Sequence, residues 1–351
     1  MGRTYLLSLA GLACFLPSPL SSAGRGEKGP LVRYTFTEPH MGTRFKLIVY
    51  APDEKTANAG AKAAFARIAQ LDGIMSDYRP TSELMQLCRK AGGKPVKVSE
   101  ELFFILEKSK ELSEKSDGAF DVTVGPVVRL WRRARKAGRL PDPDELKKAV
   151  ALVGHDKMVL DKKDRTVQLK KEGMLLDLGA IAKGWTGDEV IRVLKERGLP
   201  RALVAAGGDI VAGDAPPDAK GWVVGIAPLT DPEAKPERYV LLKNSAVSTA
   251  GDVEQFIEIG GKRYSHIVDP KTGVGILGRF SVTVTAPRGV TADGLDTTVA
   301  VLGPERGLRL VEEYEGAAVL FVRKTDKGVE VFKSKNFKEH SRKASTGEGK
   351  R

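Results

Sequence analysis

Two hydrophobic periods alternate along this chain. Tyr34-Thr35-Phe36 and Thr43 to Val49 alternate apolar with polar residues, as paired half-buried strands do, and His40-Met41-Gly42-Thr43 joins them through a tight glycine turn. Thr56 to Asp72 then changes to helical spacing, with Ala57, Ala61, Ala64, Phe65, Ile68 and Leu71 on one face. Further helices are predicted after Thr81 or Ser82 as N-cap, over Ser99 to Ser116, along Arg129 to Arg139, and over Pro141 to Val153. Ala119 to Pro126 reads as a loop feeding a short strand, and the runs Met158 to Leu160 and Thr166 to Leu169 as strands around a charged turn. Strands near Ala202 to Val204, Trp222 to Ile226, Arg238 to Leu242 and Ala246 to Ser248 are expected to continue one sheet. Phe256 to Ile259 and Tyr264 to Val268 form a hairpin across Gly260-Gly261, and Phe280 to Thr285 is a further strand. Thr291 is the expected cap of a following helix; a last helix near Glu305 to Glu315 and strands Ala317 to Arg323 and Gly328 to Phe332 complete the pattern. Strands outnumber helices and are joined largely by hairpins, which predicts an α+β fold with antiparallel sheets.

The 351 residues allow one large domain or two ordinary ones, and 41% hydrophobic with 29% charged residues describes a globular chain. Arg3, the apolar run Tyr5 to Leu16 and Ser21-Ser22-Ala23 before Gly24 fit a secretory signal, so export to the periplasm is expected. Leu12-Ala13-Cys14 also resembles the end of a bacterial lipobox, with Gly11 where that pattern prefers Leu, so two fates stay open: removal of residues 1–23, or an inner-membrane anchor on lipidated Cys14. After cleavage at Ala23 the one remaining cysteine is Cys88, expected to be a buried, inert thiol. Residues 24–31 read as a linker, 32–332 as the folded unit and 333–351 as a basic tail with seven Lys or Arg against two Glu, able to touch anionic lipid. The net charge of +12 comes without basic residues interleaved with aromatic ones, so nucleic acid is not an expected partner.

The chemistry centres on Met174 to Val190, an apolar run passing Asp177 and Gly179 into a helix near Lys183. A strand running into a helix offers backbone N–H groups and a dipole to an anion, and Lys183 adds a cation, although an ordinary strand, turn and helix reads the same way. Neither GxxxxGK(S/T) nor GxGxxG is present. Asp293 and Thr297, four apart on one helical face with Asp296 between, suit a magnesium-like cation; acidic residues in a first helical turn also need no metal to explain them. His266 precedes Asp269-Pro270 at a strand end, where it is a candidate base or a structural histidine. Tyr78, in the turn before a capped helix, is either a residue that stacks on a planar ring or, more commonly for tyrosine, a core-packed one, and the six basic residues of Arg129 to Arg139 are either a solvated face or an anion-binding surface. There is no GxSxG elbow, no HExxH and no pair of cysteines in the exported chain.

Taken in order, Met41-Gly42-Thr43, Tyr78 to Glu83, Gly118 to Asp121 with Gly125-Pro126, Asp177 to Gly184, Gly207-Gly208-Asp209, Ser248 to Gly251, His266 to Pro270 with Thr272-Gly273, and Ala292-Asp293 through Thr297 resemble the ApbE-type flavin transferases. That resemblance implies a duplicated α+β fold with FAD in the cleft between halves. It implies an FAD site lined by Met41, Tyr78, Ala119, Phe120, Asp121, Asp177, Lys183, His266 and Ile267, and Mg2+ held by the Ala180 carbonyl, Asp293 and Thr297. It further implies FMN transfer from FAD to a Thr or Ser of a target flavoprotein carrying a flavinylation motif, such as an exported membrane redox subunit, with AMP leaving. Lys183 would then offset pyrophosphate charge, with His266 the first and Asp293 the second candidate base. Asp296 stands where the family often has a small residue, which leaves its part in the metal site open. The alternatives are an FAD pyrophosphatase using water in place of the target hydroxyl, and a non-enzymatic FAD-binding protein.

Overall fold

The computed structural model describes residues 30–229, 235–252 and 256–340. The expected signal segment, Cys14 and residues 341–351 of the basic tail lie outside the described residues. The first hairpin pairs β1 (Val32–His40) with β2 (Thr43–Ala51), and Met41 and Gly42 between them take φ of 48° and 71°. Positive φ at both central positions matches the right-handed strand twist, and it turns Met41 back toward the helices. Helix α1 (Glu54–Met75) starts where the Asp53 carboxylate accepts the Thr56 N–H at 2.7 Å. An insertion follows: α2 (Glu83–Cys88), β3 (Val96–Lys97), α3 (Glu100–Lys115), α4 (Gly125–Ala137), α5 (Pro143–Val150), β4 (Met158–Asp161) and β5 (Thr166–Leu169). The chain returns through α6 (Ala182–Glu196) to the hairpin β6 (Ala202–Ala206) and β7 (Asp209–Ala212).

Beyond it come β8 (Trp222–Ile226) and β9 (Arg238–Leu242), then β10 (Ser245–Gly251), and a small antiparallel flap of β11 (Phe256–Ile259), β12 (Lys262–Val268) and β13 (Gly275–Leu277). Strand β14 (Arg279–Ala286), helix α7 (Gly289–Glu312), β15 (Ala318–Thr325) and β16 (Gly328–Lys333) close the fold. Helix α7 breaks at Gly303, φ 74°, just before Pro304, which is why two helical segments are legible there.

One antiparallel sheet in the order β1-β2-β6-β7-β10-β14-β15-β16 organises everything else. Each half has the same plan: two adjacent strands, a helical excursion across one face, then two more strands. In the first half the excursion carries α1, the insertion and α6; in the second it is α7. This is the duplicated α+β architecture. Alternate residues of each strand serve two cores. Phe45, Leu47, Val49, Val204, Val211, Ala246, Val319 and Phe321 pack under the helices. Ile48, Leu203, Ala212, Val247, Ala318 and Leu320 face the opposite layer, with Trp222, Ile226, Val240, Leu242 and Phe337.

Several local expectations change, and the loop from Ala119 leads into α4 at Gly125 rather than into a strand. Strands β8 and β9 do not continue the main sheet but form a two-stranded ribbon across its outer face, anchored by Trp222 and Leu242, because that face needs an apolar cover. Met174 to Leu176 is extended but not a strand. It carries a single parallel bridge, Leu175 to Val124, and the Asp177 N–H goes to the Val122 carbonyl at 2.8 Å; the pairing stops there because α4 begins at Gly125. Thr291 does not cap α7: the helix begins at Gly289, and Asp188 on α6 accepts the Gly289 and Val290 N–H groups at 2.7 and 3.2 Å. Ordered chain also runs past residue 332, with Phe337 buried and the His340 N–H donating to the Tyr239 carbonyl at 2.7 Å. Cys88 is free and buried, its thiol pushed up to about 11 by desolvation.

Helices α6 and α7 cross at glycine. A Cβ on Gly184 would lie 2.2 Å from the Gly289 carbonyl oxygen, and one on Gly289 2.2 Å from that of Gly184. Gly289→Ala should therefore force the helices apart and destabilise the protein by roughly 1–3 kcal/mol. The expected result is a lower urea midpoint at unchanged slope; an unshifted midpoint contradicts this packing.

Candidate active site

The two halves of the sheet meet at the β7–β10 pairing, where Asp209 stands directly opposite Ser248. Both residues share the parity of Val211 and Ala246, so both look into the helical layer, at the crossing of α6 and α7. Helix α6 contributes Lys183 in its first turn, and α7 contributes Asp293 and Asp296 at a spacing of three, one face of the helix. The four charged groups close into one cluster. Lys183 Nζ donates to Asp209 Oδ2 and lies 3.8 Å from Asp293 Oδ1. Asp293 Oδ2 accepts the Gly184 N–H at 2.8 Å, which ties the carboxylate to the glycine crossing. Ser248 Oγ bridges Asp209 and Asp296, 2.6 Å from Asp296 Oδ2, and Thr297 Oγ1 donates to Asp296 Oδ1 at 3.2 Å.

Three carboxylates against one ammonium is an unbalanced charge, and the carboxylates are buried: Asp293 and Asp296 are each 2% exposed and Asp209 4%. Their oxygens come within 4.8 Å of one another. Desolvation, reinforced by Asp209, pushes the Asp293 carboxyl up to about 7. Desolvation with Asp293 and Asp209 beside it holds Asp296 well above the usual carboxylate range. Burial lowers the Lys183 ammonium, and Asp209 and Asp293 more than reverse this, so the lysine stays charged. An all-oxygen set with surplus negative charge fits a hard divalent cation, which would neutralise what Lys183 alone leaves.

The cluster forms part of the wall of a cavity of about 730 Å³, within the size of a nucleotide-binding cleft. Every residue singled out from the sequence lines it: Met41 from the first turn, Tyr78 from the loop after α1, Ala119, Phe120 and Asp121 from the loop after α3, Asp177 and Ala180 before α6, Lys183, His266 and Ile267 on β12, Asp293 and Thr297. Met41 is packed where the Thr186 hydroxyl reaches its Sδ at 3.6 Å. Asp121 is buried, accepts from the Thr123 N–H and hydroxyl at 2.9 and 2.7 Å, and has its carboxyl raised by desolvation. Within the set implied for a metal, Asp293 adjoins Lys183, whereas Thr297 bonds Asp296. Asp296 therefore belongs to the acid cluster.

Asp209, Ser248 and Arg132 are the residues that reading for function passed over. Asp209 and Ser248 sit in motif segments, but only their register across β7 and β10 shows that they share a cluster. Arg132 was one cation in a basic run. It is the one whose guanidinium bonds Asp77 and, at 2.8 Å, Asp177 Oδ2.

Comparison with known proteins follows the same lines. The family described as ApbE matches residues 41–321. The chain is 35% identical over 326 residues to the FAD:protein FMN transferase of Treponema pallidum, covering 89% of each chain, and 30% identical to that of Escherichia coli K12, covering 85% and 86%. Among solved structures it is similar to the flavin transferase ApbE from Vibrio cholerae, with TM-score 0.78 and 30% identity over 88% of this chain and 99% of that one.

The raised Asp293 carboxyl has a consequence for stability. An aspartate near 3.9 in the unfolded chain and near 7 when folded favours the folded state while protonated, and that contribution is lost as pH rises through about 7. Metal-free protein should lose melting temperature between about pH 4 and 7 and change little above, Mg2+ added at pH 8 should restore it, and Asp293→Asn should flatten the profile. Identical pH profiles for parent and Asp293→Asn contradict the assignment.

Proposed function

Since the chain belongs to the ApbE family and is an FAD:protein FMN transferase, we propose that FAD lies along the cavity with its pyrophosphate over the cluster of Lys183, Asp209, Asp293 and Asp296. The observation that carries this reading is the buried, unbalanced acid cluster at the seam of the sheet, inside the cavity lined by the motif residues. Mg2+ would be held by Asp293, Thr297 and the Ala180 carbonyl, with Asp209 and Asp296 alongside, and when bound it supplies charge neutralisation at the pyrophosphate.

The chain's own residues account for the rest of the reaction. Lys183, kept cationic by Asp209 and Asp293, faces the anionic pyrophosphate and offsets the charge that builds on the departing phosphate. The hydroxyl oxygen of a Thr or Ser on the target forms a new bond to the FMN-side phosphorus. The bond from that phosphorus to the bridging oxygen breaks, and AMP leaves with that oxygen and its electron pair. The hydroxyl proton passes to a base. His266 is the first candidate, because it lines the cavity and is not part of the acid cluster. Asp293 is the weaker second, because it holds the Gly184 N–H and is committed to cation binding.

The relatives' shared name favours transfer to protein over hydrolysis of FAD or simple storage. The acceptor is a flavoprotein bearing a short flavinylation motif, of the exported membrane redox type. The enzyme itself works in the periplasm, either freed by cleavage after Ala23 or held at the inner membrane through Cys14, with the basic tail adding attraction to anionic lipid. No helix among the described residues is long and apolar enough to cross a membrane.

Intact-mass analysis of an acceptor mixed with the mature protein, FAD and Mg2+ should show an FMN-sized gain with stoichiometric AMP. Release of free FMN with the acceptor unmodified would instead identify a pyrophosphatase. His266→Ala should retain FAD binding and slow transfer by about 100-fold or more. Transfer at the parental rate would remove His266 from the reaction.

A further inference from the structure

Where α4 and the loop after α1 line the cavity, one arginine holds three groups at once. Helix α4 is anchored by Val127, Leu130, Trp131 and Ala134, and the Trp131 indole N–H donates to the Gly273 carbonyl at 2.7 Å. That anchoring turns Arg132 into the cavity while Arg129, Arg133 and Lys136 stay on the solvent side. The Arg132 guanidinium donates through Nη1 to Asp77 and through Nη2 to Asp177 Oδ2 at 2.8 Å. Its Cζ lies 4.3 Å from the centre of the Tyr78 ring. A guanidinium can do both because its donors lie in its plane and its face is free to stack.

Tyr78 is the anomaly that this arrangement explains. Its side chain lines the cavity yet is 68% exposed, with one ring face on the Arg132 guanidinium. Its backbone is fixed instead. The Ser76 hydroxyl accepts the Tyr78 and Arg79 N–H groups, each at 3.3 Å, and Ser82 Oγ donates to the Ser76 carbonyl at 2.6 Å. Asp177 is fixed too, its Oδ1 accepting the Gly179 N–H at 2.8 Å. A ring with one face on a guanidinium and most of its surface open is built to receive a second flat group.

We propose that Arg132 is a positioning residue for the transferase substrate: it holds Tyr78 as a stacking platform, beside the fixed Asp177 carboxylate, for a planar heteroaromatic ring of the dinucleotide. The inference rests on the proposed FAD reading of the cavity. Either flat end of FAD has the required chemistry, a stacking face with ring-edge donors for a carboxylate, and the two ends are separable as mononucleotides.

The test is a double-mutant cycle read as FAD affinity, with Mg2+ present, for the parent, Arg132→Lys, Tyr78→Leu and the double variant, with melting temperature recorded for each. Lysine keeps the charge and loses the flat face and the paired donors. Arg132→Lys should weaken FAD about tenfold, and raise KM for FAD by more than it lowers kcat. In the Tyr78→Leu background the same change should matter less than about twofold, because the platform is already gone. Tyr78→Phe, which keeps the ring, should preserve the coupling, and Arg132→Gln, which likewise removes the guanidinium, supplies the second arm of the cycle if Arg132→Lys folds poorly. Loss confined to AMP binding assigns the platform to adenine, and loss confined to FMN binding assigns it to the isoalloxazine. Equal losses in both backgrounds, or FAD affinity unchanged in Arg132→Lys, would overturn the role of Arg132. A parent that binds neither FAD nor its halves would instead overturn the reading of the cavity.

Discussion

Burying three carboxylates around one ammonium is the constraint on which the rest of this structure depends. Each isolated carboxylate would be expelled or protonated in such surroundings. The fold keeps Asp209, Asp293 and Asp296 inside by giving each a fixed partner: Lys183 for Asp209, the Gly184 N–H for Asp293, and Ser248 for Asp296. Even so, desolvation and mutual repulsion hold the Asp293 and Asp296 carboxyls above their usual range, and in the proposed reading a hard cation relieves that repulsion. Stability is lower there than a hydrophobic filling would give, and function is gained.

The partners come from four separate elements, so their geometry depends on how those elements meet. The seam between sheet halves sets Asp209 opposite Ser248, and a one-residue slip would send one of them to the outer layer. The glycine crossing brings α6 and α7 close enough for an N–H of one helix to reach a carboxylate of the other. Asp188 reinforces the same contact by capping α7 from α6. The duplication thus has a mechanical sense: two similar units, joined edge to edge, leave their helices facing across the joint.

The other side of the cavity is organised by a different balance. Asp77 and Asp177 share the Arg132 guanidinium there, and Arg135 lines the cavity as a second cation. Desolvation and Asp77 raise the Asp177 carboxyl while Arg132 opposes them, which makes the arginine the element that keeps this end polar and ordered. In the proposed reading, one cavity thus combines an acid cluster with a stacking platform, the two demands of a dinucleotide.

Much of this was legible in the chain. Period-two and helical spacing located most elements, because those patterns report which side of a strand or helix is buried. The ordered motifs carried the flavin-transferase reading, since glycine turns, a first-turn residue such as Lys183 and a same-face pair such as Asp293 and Thr297 are local features. Three things depended on tertiary structure. The cap of α7 is Asp188, about a hundred residues away in sequence, and no local rule points to it. Strands β8 and β9 have the alternation of sheet members, but the exposed outer core of the main sheet decided that they cover it. Asp209, Ser248, Asp296 and Arg132 each have an ordinary local context. Their roles arise from register, helix crossing and the sharing of a few charges in a space that excludes water, and such charge balance is a property of the assembled volume rather than of any segment.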